Sequence, residues 1–251
     1  MEFKGCRALV TGASSGMGEV FARELARRGA DLVLAARSRG KLEALASELR
    51  ASAHVTVQVE AADLSEPGAG QALADRLAEQ DLRIDVLVNN AGFGLFGPLH
   101  EADGQRIAQA VRLNVAAPTE LTCSLLPGMR ARDRGAIVNV ASTAAFQPVP
   151  YMAVYGATKA YVLSFTEALW AETRGTGVHV TALCPGATDT AFFDTASDSA
   201  PGAAADGRAA GRAPNAVRPP GLAGAELGEP QVGRADLAQF PPAPAARGQR
   251  P

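Results

Sequence analysis

From residue 7 to about residue 191, short β-branched apolar runs alternate with longer stretches whose apolar side chains recur at helical spacing. That alternation is the pattern of a parallel sheet covered by helices on both faces. Strands are predicted at 7–11, 31–35, 55–60, 86–89, 136–141 and 178–184. Helical spacing is plain over 18–28, through Val20, Phe21 and Leu25, and over 39–51, through Leu42, Leu45 and Leu49. Six strands joined by right-handed crossovers make an α/β, doubly wound sheet of the Rossmann type, in which ligands lie beyond the carboxyl ends of the strands.

The last 55 residues, 197–251, break this pattern: fifteen Ala, nine Pro, eight Gly and six Arg make up 38 of them. Such a composition cannot bury a core. The chain is therefore read as a dinucleotide-binding catalytic domain over 1–196 and a Pro/Ala/Gly/Arg-rich tail over 197–251, expected to be disordered. These four residue types are also what GC-rich codons yield in a wrong reading frame, which raises the hypothesis of a frameshift near residues 197–210. Translating the neighbouring frames of the DNA tests it. If none restores helical periodicity and a final strand, the tail is genuine.

Composition narrows the function classes. The 251 residues are 47% hydrophobic, enough for a substantial core, and a net charge of -2 gives no long-range attraction to nucleic acid or an anionic membrane. Cys6, Cys123 and Cys184 are odd in number and lack metal-type spacing, which fits core fillers in a reducing compartment. His54, His100 and His179 are dispersed, so no metal site is expected. With no basic, apolar leader and no apolar run long enough for a membrane span, the expectation is a cytoplasmic protein.

Residues 9–18 read LVTGASSGMG, placing Gly12, Gly16 and Gly18 after a predicted strand and at the mouth of a predicted helix. Glycines there permit positive φ and close backbone approach, while the helix N-terminus presents unpaired N–H groups to a pyrophosphate. Ser14 and Ser15 add hydroxyls suited to phosphate or ribose. At the end of the next strand, where a carboxylate would hold a ribose 2'-hydroxyl, the chain has Ala36 and Arg37. An arginine without a neighbouring carboxylate suits a 2'-phosphate, so NADP(H) is preferred over NAD. A solvated arginine in a surface turn beside Arg39 and Lys41 is the alternative.

Tyr155 and Lys159 are four residues apart in a helical segment, hence on one face. A phenol is a sluggish acid-base group at neutral pH, and an adjacent ammonium is expected to lower its pKa. Lysine is scarce, with only Lys4, Lys41 and Lys159 against 21 arginines, so Lys159 in a largely apolar helix calls for a reason. Ser142 closes the strand AIVNVAS at the carboxyl end of the sheet. Its hydroxyl either steadies a substrate oxygen or caps the strand end.

Taken together, these motifs identify residues 3–195 as resembling the short-chain dehydrogenase/reductase family. TGASSGMG resembles its cofactor turn, with Met17 where isoleucine is usual, and NNAG, residues 89–92, resembles its fourth-strand motif with Asn90, Ala91 and Gly92. Asn114, Ser142, Tyr155 and Lys159 match the catalytic tetrad; Asp63 resembles the adenine-contacting aspartate; Pro185, Gly186, Thr188 and Thr190 resemble the nicotinamide-holding segment. The resemblance implies hydride transfer between a nicotinamide and a ketone or aldehyde carbon. It casts Tyr155 as the acid, Ser142 as the group that bonds the carbonyl oxygen, Lys159 as the ribose holder and Asn114 as the anchor of a water. It further implies a homo-oligomer, dimer or tetramer, joined through the helices that start near Asn114 and Tyr155, and a seventh strand for which the tail has no pattern.

Phe93, Leu95 and Phe96, then Phe146 and Tyr151, then Phe192, make the loops around the reacting carbon apolar. Such a lining favours a hydrophobic carbonyl compound, although these aromatics also suit plain loop packing. Tyr151 is a rival acid that lacks a lysine at the matching offset. Two other readings of the whole chain stay open: a cofactor binder left impaired or unstable because its fold is incomplete, and a non-enzymatic NADP-binding regulator.

Overall fold

The computed structural model describes residues 3–186. The expectations placed on the tail, and on Thr188, Thr190 and Phe192, lie outside the described residues. Strands β1 (Arg7–Thr11), β2 (Asp31–Ala36), β3 (Val57–Ala61), β4 (Val86–Asn89), β5 (Gly135–Val140) and β6 (Val178–Leu183) form one sheet in the order β3-β2-β1-β4-β5-β6. Every pair is parallel, as the alternation required.

Both faces of the strands are buried, which is why they read as near-continuous apolar runs. Ala8, Val10, Leu32, Leu34, Val86 and Val88 pack against Ala22, Leu25 and Ala26 of helix α1 (Gly16–Arg27) and Leu42, Leu45 and Leu49 of α2 (Arg39–Ala53). Their neighbours Leu9, Val33, Leu87 and Ile137 face the opposite layer. There they meet Leu73 and Leu77 of α3 (Ala69–Glu79), Leu121 and Met129 of α5 (Ala117–Ala131) and Leu169 of α6 (Ala153–Glu172). Helix α4 (Gly104–Val111) runs into α5 through a π turn, Arg112–Ala116.

Element ends differ from expectation by one or two residues, with local causes. The third strand starts at Val57 instead of 55, because His54 closes α2 in the left-handed conformation and the Thr56 N–H donates to Asp31 Oδ1 at 2.8 Å. The fifth and sixth strands end one residue early, at Val140 and Leu183, where the chain turns so that the Thr143 N–H donates to the Pro185 carbonyl at 3.0 Å. Below the site, Asn89 donates to Asn139 Oδ1 at 2.9 Å across the β4–β5 register, and Asn139 donates to Thr166 Oγ1 at 2.9 Å on α6. These buried polar contacts tie α6 to the sheet centre. Among the described residues, β6 pairs on one side only.

Candidate active site

The strand order reverses between β1 and β4, so their carboxyl ends diverge and open a crevice. The turn after β1 enters it through Gly12 at φ +66° and Gly16 at φ +57°. A Cβ on Gly12 would stand 2.8 Å from Asn90 Nδ2, and one on Gly18 would stand 2.2 Å from the Gly12 carbonyl oxygen. No side chain fits there, and the backbone is the lining surface. Asn90 fixes the turn by donating from Nδ2 to the Thr11 carbonyl at 2.9 Å. Thr11 Oγ1 returns the tie, accepting from the N–H groups of Asn90 and Ala91 at 3.0 Å each. Ser15 stands at the N-cap of α1 in an extended conformation without a capping side-chain bond, and Ser15, Gly16 and Met17 of this helix start line the crevice.

Gly12, Ser14, Ser15, Gly16, Met17, Arg37, Asp63, Asn90, Ala91, Gly92 and Phe93 share this crevice of roughly 390 Å³, a volume within the usual range of small-molecule sites. Ser38 and Lys41 line it as well, so the basic turn after β2 points two cations, Arg37 and Lys41, at one place. Burial opposes ionisation of Asp63. Hydrogen bonds from Ser65 Oγ (2.6 Å) and the Ser65 N–H (2.9 Å), with the positive charge of Arg37, outweigh it and hold the carboxyl below its ordinary value.

The groups that follow β5 and those on α6 stand at the same carboxyl end of the sheet, with Lys159 Nζ 3.6 Å from where a Cβ on Gly92 would lie. Ser142 Oγ accepts from the Ala144 N–H at 3.1 Å, so it does cap the short turn that follows the strand. The same hydroxyl hydrogen-bonds Tyr155. Burial pushes the Tyr155 hydroxyl above its ordinary range, and the bond with Ser142 offsets only part of this. The expected lowering by Lys159 is absent, and the reason is geometric. Lys159 Nζ lies 5.8 Å from the centre of the Tyr155 ring and donates to the Val140 carbonyl at 2.7 Å. Lys159 is itself 5% exposed, and burial draws its ammonium down to about 8, against a partial opposing effect of Cys184.

Asn114, 2% exposed, sits in the π turn, whose extra residue turns the side chain inward. Its amide clamps Phe93 from both sides, Oδ1 accepting from the Phe93 N–H at 3.1 Å and Nδ2 donating to the Phe93 carbonyl at 2.9 Å. A Cβ on Gly92 would lie 3.0 Å from Asn114 Oδ1 and 3.6 Å from Lys159 Nζ, so both side chains close on the same side of Gly92. Phe96, Leu99, Phe146 and Tyr151 stay exposed around the mouth, with the Phe96 and Tyr151 rings 6.0 Å apart. Tyr151 holds φ +65°, unusual for an aromatic residue, and its carbonyl accepts from the Gly97 N–H at 2.8 Å. Tyr151 is exposed, while Tyr155 is half-buried. Pro185 and Gly186 follow β6 at the same end of the sheet.

Thr11, Ser38, Lys41 and Thr158 were missed at the level of sequence. A polar residue closing an apolar strand was the available sign for Thr11; Thr158 offered none beyond its place one residue before Lys159.

The fold and crevice define a protein of the Rossmann class, with a glycine-lined cradle at the switch point and a Ser142–Tyr155 pair at the same carboxyl end of the sheet. A family model described as short chain dehydrogenase matches residues 7–200. A very-long-chain 3-oxoacyl-CoA reductase of Anas platyrhynchos is 35% identical over 187 residues, 72% of this chain and 59% of that protein. The chain thus spans about three fifths of the length of that curated relative. Among solved structures, a short-chain dehydrogenase from Sphingobium yanoikuyae in complex with NADPH superposes with TM-score 0.73 at 41% identity, covering 76% of this chain and 75% of that one. The bulky-bulky ketone specific alcohol dehydrogenase from Comamonas testosteroni gives TM-score 0.69 at 39% identity, covering 73% of each chain. The chain belongs to the short-chain dehydrogenase/reductase family.

Among the described residues no helix is long and apolar enough to cross a membrane, and no group of three His, Cys, Asp or Glu side chains could hold a metal ion.

Proposed function

We propose that the chain is an NADP(H)-dependent oxidoreductase that interconverts a hydrophobic ketone or aldehyde with its alcohol. The observation that carries this reading is the half-buried Tyr155, its hydroxyl bonded to Ser142 just past β5, at the same carboxyl end of the sheet as the glycine-lined crevice. NADP(H) fits the residues present: Gly12 and Gly18 form a cradle that any Cβ would fill, and Arg37 and Lys41 supply positive charge at the end of β2. Gly12, Ser14, Ser15, Gly16, Met17 and Gly18 would hold the pyrophosphate, and Arg37 the 2'-phosphate. Asp63 would meet the adenine, with Asn90, Ala91, Gly92, Pro185 and Gly186 along the rest. When bound, the nicotinamide supplies or accepts a hydride.

The protein's own residues handle the proton. A Tyr155 pKa held above the ordinary phenol value keeps its proton at neutral pH, the form needed to protonate a carbonyl oxygen. Ser142 donates to the same oxygen and fixes its place. Lys159 would hold ribose hydroxyls near Gly92, a role its 3.6 Å approach to the Gly92 Cβ position supports, and Asn114 steadies the neighbouring Phe93.

The exposed apolar rim of Phe96, Leu99, Phe146 and Tyr151, together with Phe93 and Leu95, supports a bulky hydrophobic substrate, as does the likeness to a bulky-bulky ketone dehydrogenase. Exposed Tyr161 and Trp170 on α6 support a homo-oligomer joined along α5 and α6, readable as a dimer or tetramer mass in solution.

The test is NADPH oxidation by the full chain with a panel of hydrophobic ketones and aldehydes, against sugars as controls. Turnover confined to the hydrophobic set is expected. NADPH binding without any turnover would shift the reading to an impaired enzyme or a cofactor-sensing protein.

A further inference from the structure

We infer that Thr158 is a positioning residue that locks the turn of α6 carrying Tyr155 and Lys159 to the loop after β4, a role that rests on the oxidoreductase reading above. Thr158 is 4% exposed and points into the protein between the two groups that must not drift apart. Its Oγ1 donates to the Tyr155 carbonyl at 2.8 Å and accepts from Asn114 Nδ2 at 3.1 Å. The hydroxyl has one proton, so donating to one partner leaves a lone pair aimed at the other. Asn114 in turn spends its remaining amide groups on the Phe93 N–H and carbonyl.

The result is one continuous chain of hydrogen bonds, Tyr155 carbonyl to Thr158 to Asn114 to Phe93. It joins three separate pieces of the sequence: the first turn of α6, the π turn and the crevice wall. Each member is satisfied only while the others stay in place, and in a water-poor interior such a network is rigid. Thr158 is not among the residues that line the glycine crevice, whereas Gly92 and Phe93 are. It acts through Asn114 and the Tyr155 backbone.

Removing the hydroxyl leaves one Asn114 N–H unpaired in a buried place and uncouples α6 from the wall. Cofactor contacts on the β1–β2 side are distant from this break and stay intact. The spacing between the Tyr155 hydroxyl and a carbon held against the Phe93 wall does not. Misplacement of a reacting group by about 1 Å costs roughly a hundredfold in rate, so a partial release is expected to cost on the order of tenfold or more in kcat.

The experiment compares Thr158→Val, which keeps the shape, with Thr158→Ser, which keeps the hydroxyl, in the full chain. Three quantities are read: kcat and KM with a hydrophobic ketone, NADPH affinity by fluorescence, and hydrogen exchange at the Phe93 amide. The expected result is a kcat lower by tenfold or more in the valine variant, with NADPH affinity within about twofold of wild type, Phe93 exchange at least tenfold faster, and all three restored by serine. Wild-type kcat and wild-type Phe93 protection in the valine variant would overturn the inference, as would a serine variant as impaired as valine. If the wild-type chain itself turns over no carbonyl compound, the oxidoreductase reading fails while the exchange contrast between valine and serine still decides whether Thr158 holds the wall.

Discussion

Replacing Lys159 by methionine removes an ammonium that the fold buries almost completely while leaving a side chain of similar length. In the wild type, burial draws the Lys159 pKa from the ordinary 10.5 to about 8, with Cys184 opposing in part. The folded state therefore disfavours the charged form. Below about pH 8 the lysine is protonated both folded and unfolded, and the full cost of holding a buried charge is borne. Between about 8 and 10.5 the unfolded chain keeps the proton that the folded chain has released, so stability rises with pH; above 10.5 both are neutral and the cost is gone. At about 1.36 kcal/mol per pH unit, the difference between 10.5 and about 8 is worth about 3 kcal/mol. Loss of the 2.7 Å bond to the Val140 carbonyl adds an opposing contribution to the methionine variant, but one that depends little on pH while the lysine remains a donor. The assay is urea denaturation of both proteins at steps from pH 7 to 10.5. Other titrating groups are common to both and cancel in the difference. The stability of Lys159→Met relative to wild type is expected to fall by about 3 kcal/mol across that range. A difference constant with pH would refute the burial argument.

Changing Tyr155 to Phe is expected to lower kcat by at least about a hundredfold while NADPH affinity stays near wild type, since only the proton donor is lost; retained turnover would reassign the acid. Arg37→Asp is expected to shift the NADP/NAD ratio of catalytic efficiency by tenfold or more towards NAD, because a charge-assisted bond of about 1.5–3 kcal/mol becomes a repulsion. An unchanged ratio would return Arg37 to the role of a solvated surface residue. Gly18→Ala forces a Cβ to within 2.2 Å of the Gly12 carbonyl, so loss of NADPH binding and about 1–3 kcal/mol of stability are expected in a binding titration and a denaturant melt. Binding at wild-type strength would show that the turn is less tightly fixed than Asn90 and Thr11 make it.

Much of the fold is legible in the sequence because a parallel sheet buried on both faces writes itself as apolar runs of strand length, each followed by a helical repeat. Leu9, Val33, Leu87 and Ile137 on one face and Val10, Leu34 and Val88 on the other are that signature. The glycine turn is legible for a related reason: Gly12 and Gly18 occupy points where no Cβ fits. What escaped is what depends on contacts distant in the chain. Thr158 meets Asn114 across 44 residues, and Thr11 meets Asn90 across 79, so neither partner marks the other locally. The direction of the Tyr155 shift escaped too, because spacing places Lys159 on the same helix face but does not say that its ammonium turns to the Val140 carbonyl. The roles of Thr188, Thr190 and Phe192 rest on sequence alone.

The central claim, that this chain moves a hydride between NADPH and a hydrophobic carbonyl carbon, is tested most directly with NADPH deuterated at the nicotinamide C4. The full chain is incubated with that cofactor and an accepted ketone, and the alcohol is examined by mass spectrometry and NMR. One deuterium at the carbinol carbon, from one face of C4 only and formed at least about a hundredfold more slowly with Tyr155→Phe, is the predicted result. Alcohol formed without deuterium from either face, or NADPH consumed with no alcohol at all, would contradict it.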